Sequence, residues 1–85
     1  MSRQRTQIAS DIIRDGIGVE LLDAKGDVVA EVFRCDRDHT VTVSCSRQLT
    51  ERELQWLLPY ASETFECFED ETPLPEISAW PIVVD

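Results

Sequence analysis

Apolar and polar residues alternate most regularly over residues 17–46, and this stretch reads as three strands. Ile17, Val19 and Leu21 are spaced by Gly18 and Glu20, and Val41, Val43 and Cys45 are spaced by Thr42 and Ser44. The middle run, Val28–Cys35, is apolar or half-apolar on both sides. Two turn signals separate the runs, Asp23-Ala24-Lys25-Gly26-Asp27 and Asp36-Arg37-Asp38-His39. If each hairpin closes on two residues, Lys25-Gly26 and Arg37-Asp38, Val19 and Val43 both oppose Val32, and Leu21 and Cys45 both oppose Ala30. Ile17 and Val41 then both oppose Arg34. One face gathers Ile17, Val19, Leu21, Val28, Ala30, Val32, Val41, Val43 and Cys45. A slip of one residue would scatter that set over both faces, so the pattern predicts a three-stranded antiparallel meander.

Helical spacing appears on either side. Ile8, Ala9, Ile12 and Ile13 fall on one narrow face, with Gly16 placed to close a helix over residues 3–15 whose first few residues fray. Thr50-Glu51-Arg52-Glu53 is a capping box, and Leu54, Leu57, Leu58, Ala61 and Phe65 follow it as a single stripe. Pro59 lies inside this second helix and is expected to kink or divide it. Beyond Cys67 the periodicity ends, and Pro73, Pro75 and Pro81 punctuate an acidic stretch that closes on Trp80 and Ile82–Val84.

The predicted class is α+β: an N-terminal helix, a three-stranded antiparallel β-meander, a C-terminal amphipathic helix and an acidic extended tail. Residues 1–68 are expected to form one small α+β domain, with 69–85 a proline-containing tail, partly disordered.

Charge sharpens this division. The 85-residue chain carries −9, yet residues 1–49 are close to balanced while residues 50–85 hold nine acids against Arg52. Phosphate-tracking surfaces need Lys and Arg, so direct nucleic-acid binding and docking on anionic membranes are both disfavoured. The polar N-terminal stretch lacks the apolar run of a signal peptide, and nothing approaches the length of a membrane span. Three cysteines, Cys35, Cys45 and Cys67, cannot all pair within one chain and show no Cys-x-x-Cys spacing. They read as reduced thiols of a cytoplasmic protein.

No catalytic or cofactor signature emerges, and neither a cofactor nor a metal is expected. His39, the lone histidine, stands in a turn beside Asp36 and Asp38, where polar residues belong in any case. A zinc site from Cys35, His39, Cys45 and Cys67 lacks the paired close spacings of zinc knuckles, and the register points Cys35 and Cys45 to opposite faces. Glu20 and Glu31 come out directly opposed, without the third group an acid–base site requires. Gly16-x-Gly18 runs from helix to strand, the reverse of a phosphate loop.

Two candidate interaction surfaces remain. Leu22, Val29 and Phe33 form an apolar diagonal on the second sheet face, covered by the first helix or else open to a partner or a second copy of the chain. Phe65, Phe68 and Trp80 interleave with the acids of the last third, either docking on a basic groove or folding back, with Ile82–Val84 joining a sheet edge. The leading reading is a small cytoplasmic protein–protein interaction or regulatory accessory module with an unidentified, basic partner. The alternatives are an acidic nucleic-acid mimic that inhibits a DNA- or RNA-binding protein, and a minor enzyme or metal protein built on Cys35 and His39.

Overall fold

A computed structural model describes residues 5–85. The elements run β1 (Arg5–Asp11), β2 (Gly16–Leu22), β3 (Val28–Cys35), β4 (Thr40–Cys45), α1 (Glu51–Phe65), a 3₁₀ turn (Ile77–Ala79) and β5 (Ile82–Val84). The five strands form one sheet in the order β1-β2-β3-β4-β5. The first four pair antiparallel, and β5 pairs parallel to β4. Parallel neighbours need a crossover, and α1 supplies it by carrying the chain over one sheet face and back.

The expected fold class is therefore corrected at both ends. The segment expected to be helical is β1, hydrogen-bonded along β2 from Arg5↔Leu22 to Asp11↔Gly16. The helix expectation needed Ile12 and Ile13 on a buried face, whereas both stand in the turn after β1, 94% and 92% exposed. Four apolar residues bury too little to stabilise a helix alone, while an edge strand gains backbone hydrogen bonds from a neighbour. The start of that expected helix and the fraying of the first residues fall wholly or partly on residues 1–4, outside the described part. The three-stranded meander is the centre of a five-stranded mixed sheet. The capped helix is not the last element, and Pro59 does not divide it. The acidic stretch is no extended tail, because Trp80 is 4% exposed and Ile82–Val84 extend the sheet.

Within the centre, Val19↔Val32, Leu21↔Ala30, Val32↔Val43 and Ala30↔Cys45 pair as the pattern dictates. The first turn is wider than a two-residue loop. Asp23 Oδ1 accepts from the amides of Lys25 and Asp27 at 2.8 and 2.9 Å, and Gly26 adopts φ 89°. A register shift between Leu21 and Leu22 absorbs the difference and leaves the remaining pairs in place. Its local effect is to bury Val29 in the core and leave Val28 43% exposed.

α1 covers the face formed by Val19, Leu21, Ala30, Val32, Val41, Val43 and Cys45, against which Leu57, Leu58, Ala61 and Phe65 pack. Leu49, Phe68 and Trp80 close the same core. The capping box is complete, with Glu53 N donating to Thr50 Oγ1 and Thr50 N donating to Glu53 Oε1.

Candidate functional site

Arg34 projects from the helix-facing side of β3, opposite Ile17 and Val41, and is only 9% exposed. A guanidinium buried there must find partners. α1 ends with no basic residue in its last turn, so its final carbonyls and negative dipole end lack a local cation. Arg34 meets that need from another element. Its Nη1 donates to the carbonyls of Phe65 and Cys67 at 3.3 and 2.9 Å, and its Nη2 donates to Asp36 Oδ2 at 3.1 Å. Nε lies 2.9 Å from Asp36 Oδ1 but without hydrogen-bond alignment, so that contact is Coulombic. Between the two bound carbonyls Glu66 holds φ 61° and ψ −58°, and Cys67 N donates to Phe65 O at 2.6 Å. This γ-turn with positive φ is a strained conformation for a residue bearing a side chain. Arg34 braces it on both sides.

Asp36 extends the brace. Its Oδ1 accepts from Glu69 N at 2.9 Å, and its own amide donates to Asp15 O at 2.9 Å. The β1–β2 turn, the end of β3 and the loop after α1 thus meet at one end of the sheet. A cleft of about 390 Å³ opens among them, its walls including Asp11, Ile12, Asp15, Arg34, Asp36 and Glu69. Asp11 caps the turn by accepting from the Arg14 amide at 2.9 Å and from the Arg14 guanidinium. Those bonds, the amide first, hold its carboxyl below the usual aspartate range. Among the described residues neither Asp15 nor Glu69 has a cationic partner. The cleft can accept a positive group beside an apolar one, because Ile12 stands out from its wall and Ile13 is exposed next to it in the chain.

The second sheet face carries no helix among the described residues. Arg14 reaches over it, with its guanidinium 4.1 Å from the Phe33 ring centroid and two hydrogen bonds of 3.1 and 3.0 Å to Glu31. Phe33 lies against Gly16, where an added methyl would strike its ring and the Arg34 carbonyl. Glu20 and Glu31 do oppose each other. Arg14 neutralises Glu31, and the Gln7 amide donates to Glu20.

The apolar diagonal is accordingly broken up. Phe33 is 8% exposed under Arg14, Val29 is 8% exposed in the helix-side core, and Leu22 is half-buried. Phe65, Phe68 and Trp80 are 4%, 2% and 4% exposed in the core, and Trp80 Nε1 donates to Pro75 O at 2.9 Å. The chemistry-bearing side chains are not brought together. Cys35 Sγ sits 3.5 Å from Asp38 Oδ2 on the open face, and Cys45 is buried under α1, where desolvation pushes its thiol up. His39 Nε2 lies 2.8 Å from Asp70 Oδ2 and its ring packs at 5.0 Å on Phe68, fastening the loop after α1 to the β3–β4 turn. Asp70 is held below the usual aspartate range, first by Thr72 and then by His39. Among the described residues no group of three or more metal-ligating side chains occurs, and no helix is long and apolar enough to cross a membrane.

Sequence reasoning missed the Arg34–Asp36 brace and the exposed isoleucine pair. Only the first left a signal, an arginine falling on the apolar face of the meander. No protein-family profile matches the chain, and no curated protein or solved structure matches it either.

Proposed function

We propose that the chain is a small cytoplasmic protein-interaction module that docks a basic, partly apolar segment of a partner protein at the cleft between the β1–β2 turn and the loop after α1. One observation carries this reading: Ile12 and Ile13 are 94% and 92% exposed, side by side on a turn that the fold does not need to be apolar. Adjacent exposed isoleucines gain nothing in water, and burial against a partner would remove roughly 1.5–3 kcal/mol of unfavourable hydration for each. The acidic cleft beside them supports a basic partner, since Asp15 and Glu69, without a cationic partner among the described residues, favour a lysine or arginine.

The test is a double variant, Ile12→Ser/Ile13→Ser. It should melt within about 4 °C of the parent, because surface changes of this kind are within about 0.5 kcal/mol. It should also lose affinity for basic amphipathic peptides selected against the parent from a random library. Selected peptides that are acidic, or that bind parent and variant equally, would sink the reading.

The acidic decoy stands as a second reading on a different observation. Glu66, Glu69, Asp70 and Glu71 are exposed on a loop held by Arg34, Asp36 and His39. Rigid carboxylates are what mimicry of a phosphate backbone requires. A partner displaced by a short nucleic-acid duplex would favour the decoy, and one indifferent to it would favour the module.

A further inference from the structure

β1 is an edge strand: among the described residues it pairs with β2 on one side and with no strand on the other. Edges of this kind are usually blunted by proline, lysine or a bulge. β1 has none of these over Arg5–Asp11, and its seven pairs to β2 run without a register shift. Its helix-side face is also unfinished, because α1 does not reach it and Ile8 is 55% exposed.

We propose that β1 pairs antiparallel with β1 of a second copy of the chain, about a two-fold axis through Ile8. The occupant is identified by self-complementarity. In that register Arg5 opposes Asp11 of the second copy, Thr6 opposes Ser10, Gln7 opposes Ala9 and Ile8 opposes Ile8. Residues of like parity share a face, so Arg5 meets Asp11 on the open side, twice by symmetry, while the isoleucines meet on the helix side. No like charges are opposed. Either set of outward backbone groups satisfies an antiparallel register centred on one residue, because paired positions alternate between bonded and non-bonded. A two-fold axis perpendicular to the sheet keeps both helices on the same side of a ten-stranded sheet. The contact is isologous and closes on itself with two copies, unlike β1 on β5, a heterologous contact that builds a ring or an open filament. β5 offers three residues with no charge pattern, against seven that match. Asp11 belongs both to this strand and to the wall of the proposed docking cleft. Arg5 and Ile8 lie outside the cleft and Ile12 and Ile13 outside the paired stretch, so variants at those four positions test the two proposals separately.

Sedimentation equilibrium of the full chain tests the proposal. A reversible monomer–dimer equilibrium is expected in the micromolar range, since one strand pair is a small interface. Arg5→Asp and Asp11→Arg should each weaken it by about tenfold or more, each placing like charges opposite in two symmetric positions. An equimolar mixture of these two variants should recover association. In the mixed pair the introduced carboxylate faces the introduced guanidinium at one end, and the native Arg5 and Asp11 face each other at the other. Should the Asp11 variant not fold, Ile8→Asp carries the same test, setting two carboxylates against each other at the axis. Amide exchange in β1 should also slow as the parent protein is concentrated. A chain monomeric at about 1 mM, or a dimer that Arg5→Asp and Ile8→Asp leave intact, would overturn the proposal.

Discussion

Arg34 shows how one side chain couples elements that the sequence keeps far apart. Its position on the helix-facing side of β3 follows from strand register, which any reader of the alternation can derive. Its role does not, because Phe65 and Cys67 lie 31 and 33 residues away and only the packed helix brings their carbonyls into reach. Removing one partner of a buried pair leaves the other charge uncompensated, which typically costs about 3–5 kcal/mol. Arg34→Ala should therefore lose that much in urea unfolding at neutral pH, a large share of a small domain's stability. Arg34→Lys keeps the charge but not the planar fork that spans two carbonyls and a carboxylate, so its urea midpoint should fall between the two.

At the level of elements, legibility followed how local the determinant is. The capping box was readable because its four residues are contiguous and its chemistry is internal to them. Arg47 adds to it from outside, donating to Glu53 Oε1 and Oε2 at 3.0 and 2.9 Å. With Thr50 it brings the Glu53 carboxyl down from 4.5 to about 2. A depressed folded-state pKa contributes stability that is present above the unfolded value and lost as pH falls through the folded one. Glu53→Gln should thus be about 1 kcal/mol less stable than the parent at pH 7, a figure discounted because Arg47 is half exposed. The gap should narrow as pH drops from about 4.5 towards 2, as thermal melts across that range will show. β1 was misread for the complementary reason. Ile8, Ala9, Ile12 and Ile13 fit a helical face by spacing, and nothing local says that β2 offers a free edge beside them. The β-branched residues in that segment were the available hint.

At the level of the whole molecule, the last third of the chain is a structural component. Trp80 belongs to the same core as Leu57 and Phe68, and β5 covers the outer edge of β4, with Val43 N donating to Pro81 O at 2.8 Å. A chain ending at Phe68 would leave a tryptophan-sized hole, worth about 3–5 kcal/mol, and strip β4 of its neighbour. Such a truncation should lose cooperative unfolding in far-UV circular dichroism at room temperature. The loop that carries the acids of residues 66–71 is consequently held in place, with Glu69 in the cleft wall.

Local patterning set the central hairpins, their register up to the shift between Leu21 and Leu22, and the start of α1. These depend on period-two alternation, turn residues and capping side chains that act over a few positions. Only in the assembled fold do residues 5–11 become a strand, does β5 run parallel to β4, do the aromatic residues of the acidic third enter the core, and does Arg34 close the helix end. Each of those outcomes depends on which surfaces become available once the meander has formed. A free edge, an uncapped helix terminus and an unfilled core are properties of the assembled fold, and the residues that satisfy them carry at most a faint local mark, such as an arginine on an apolar face or a few β-branched residues.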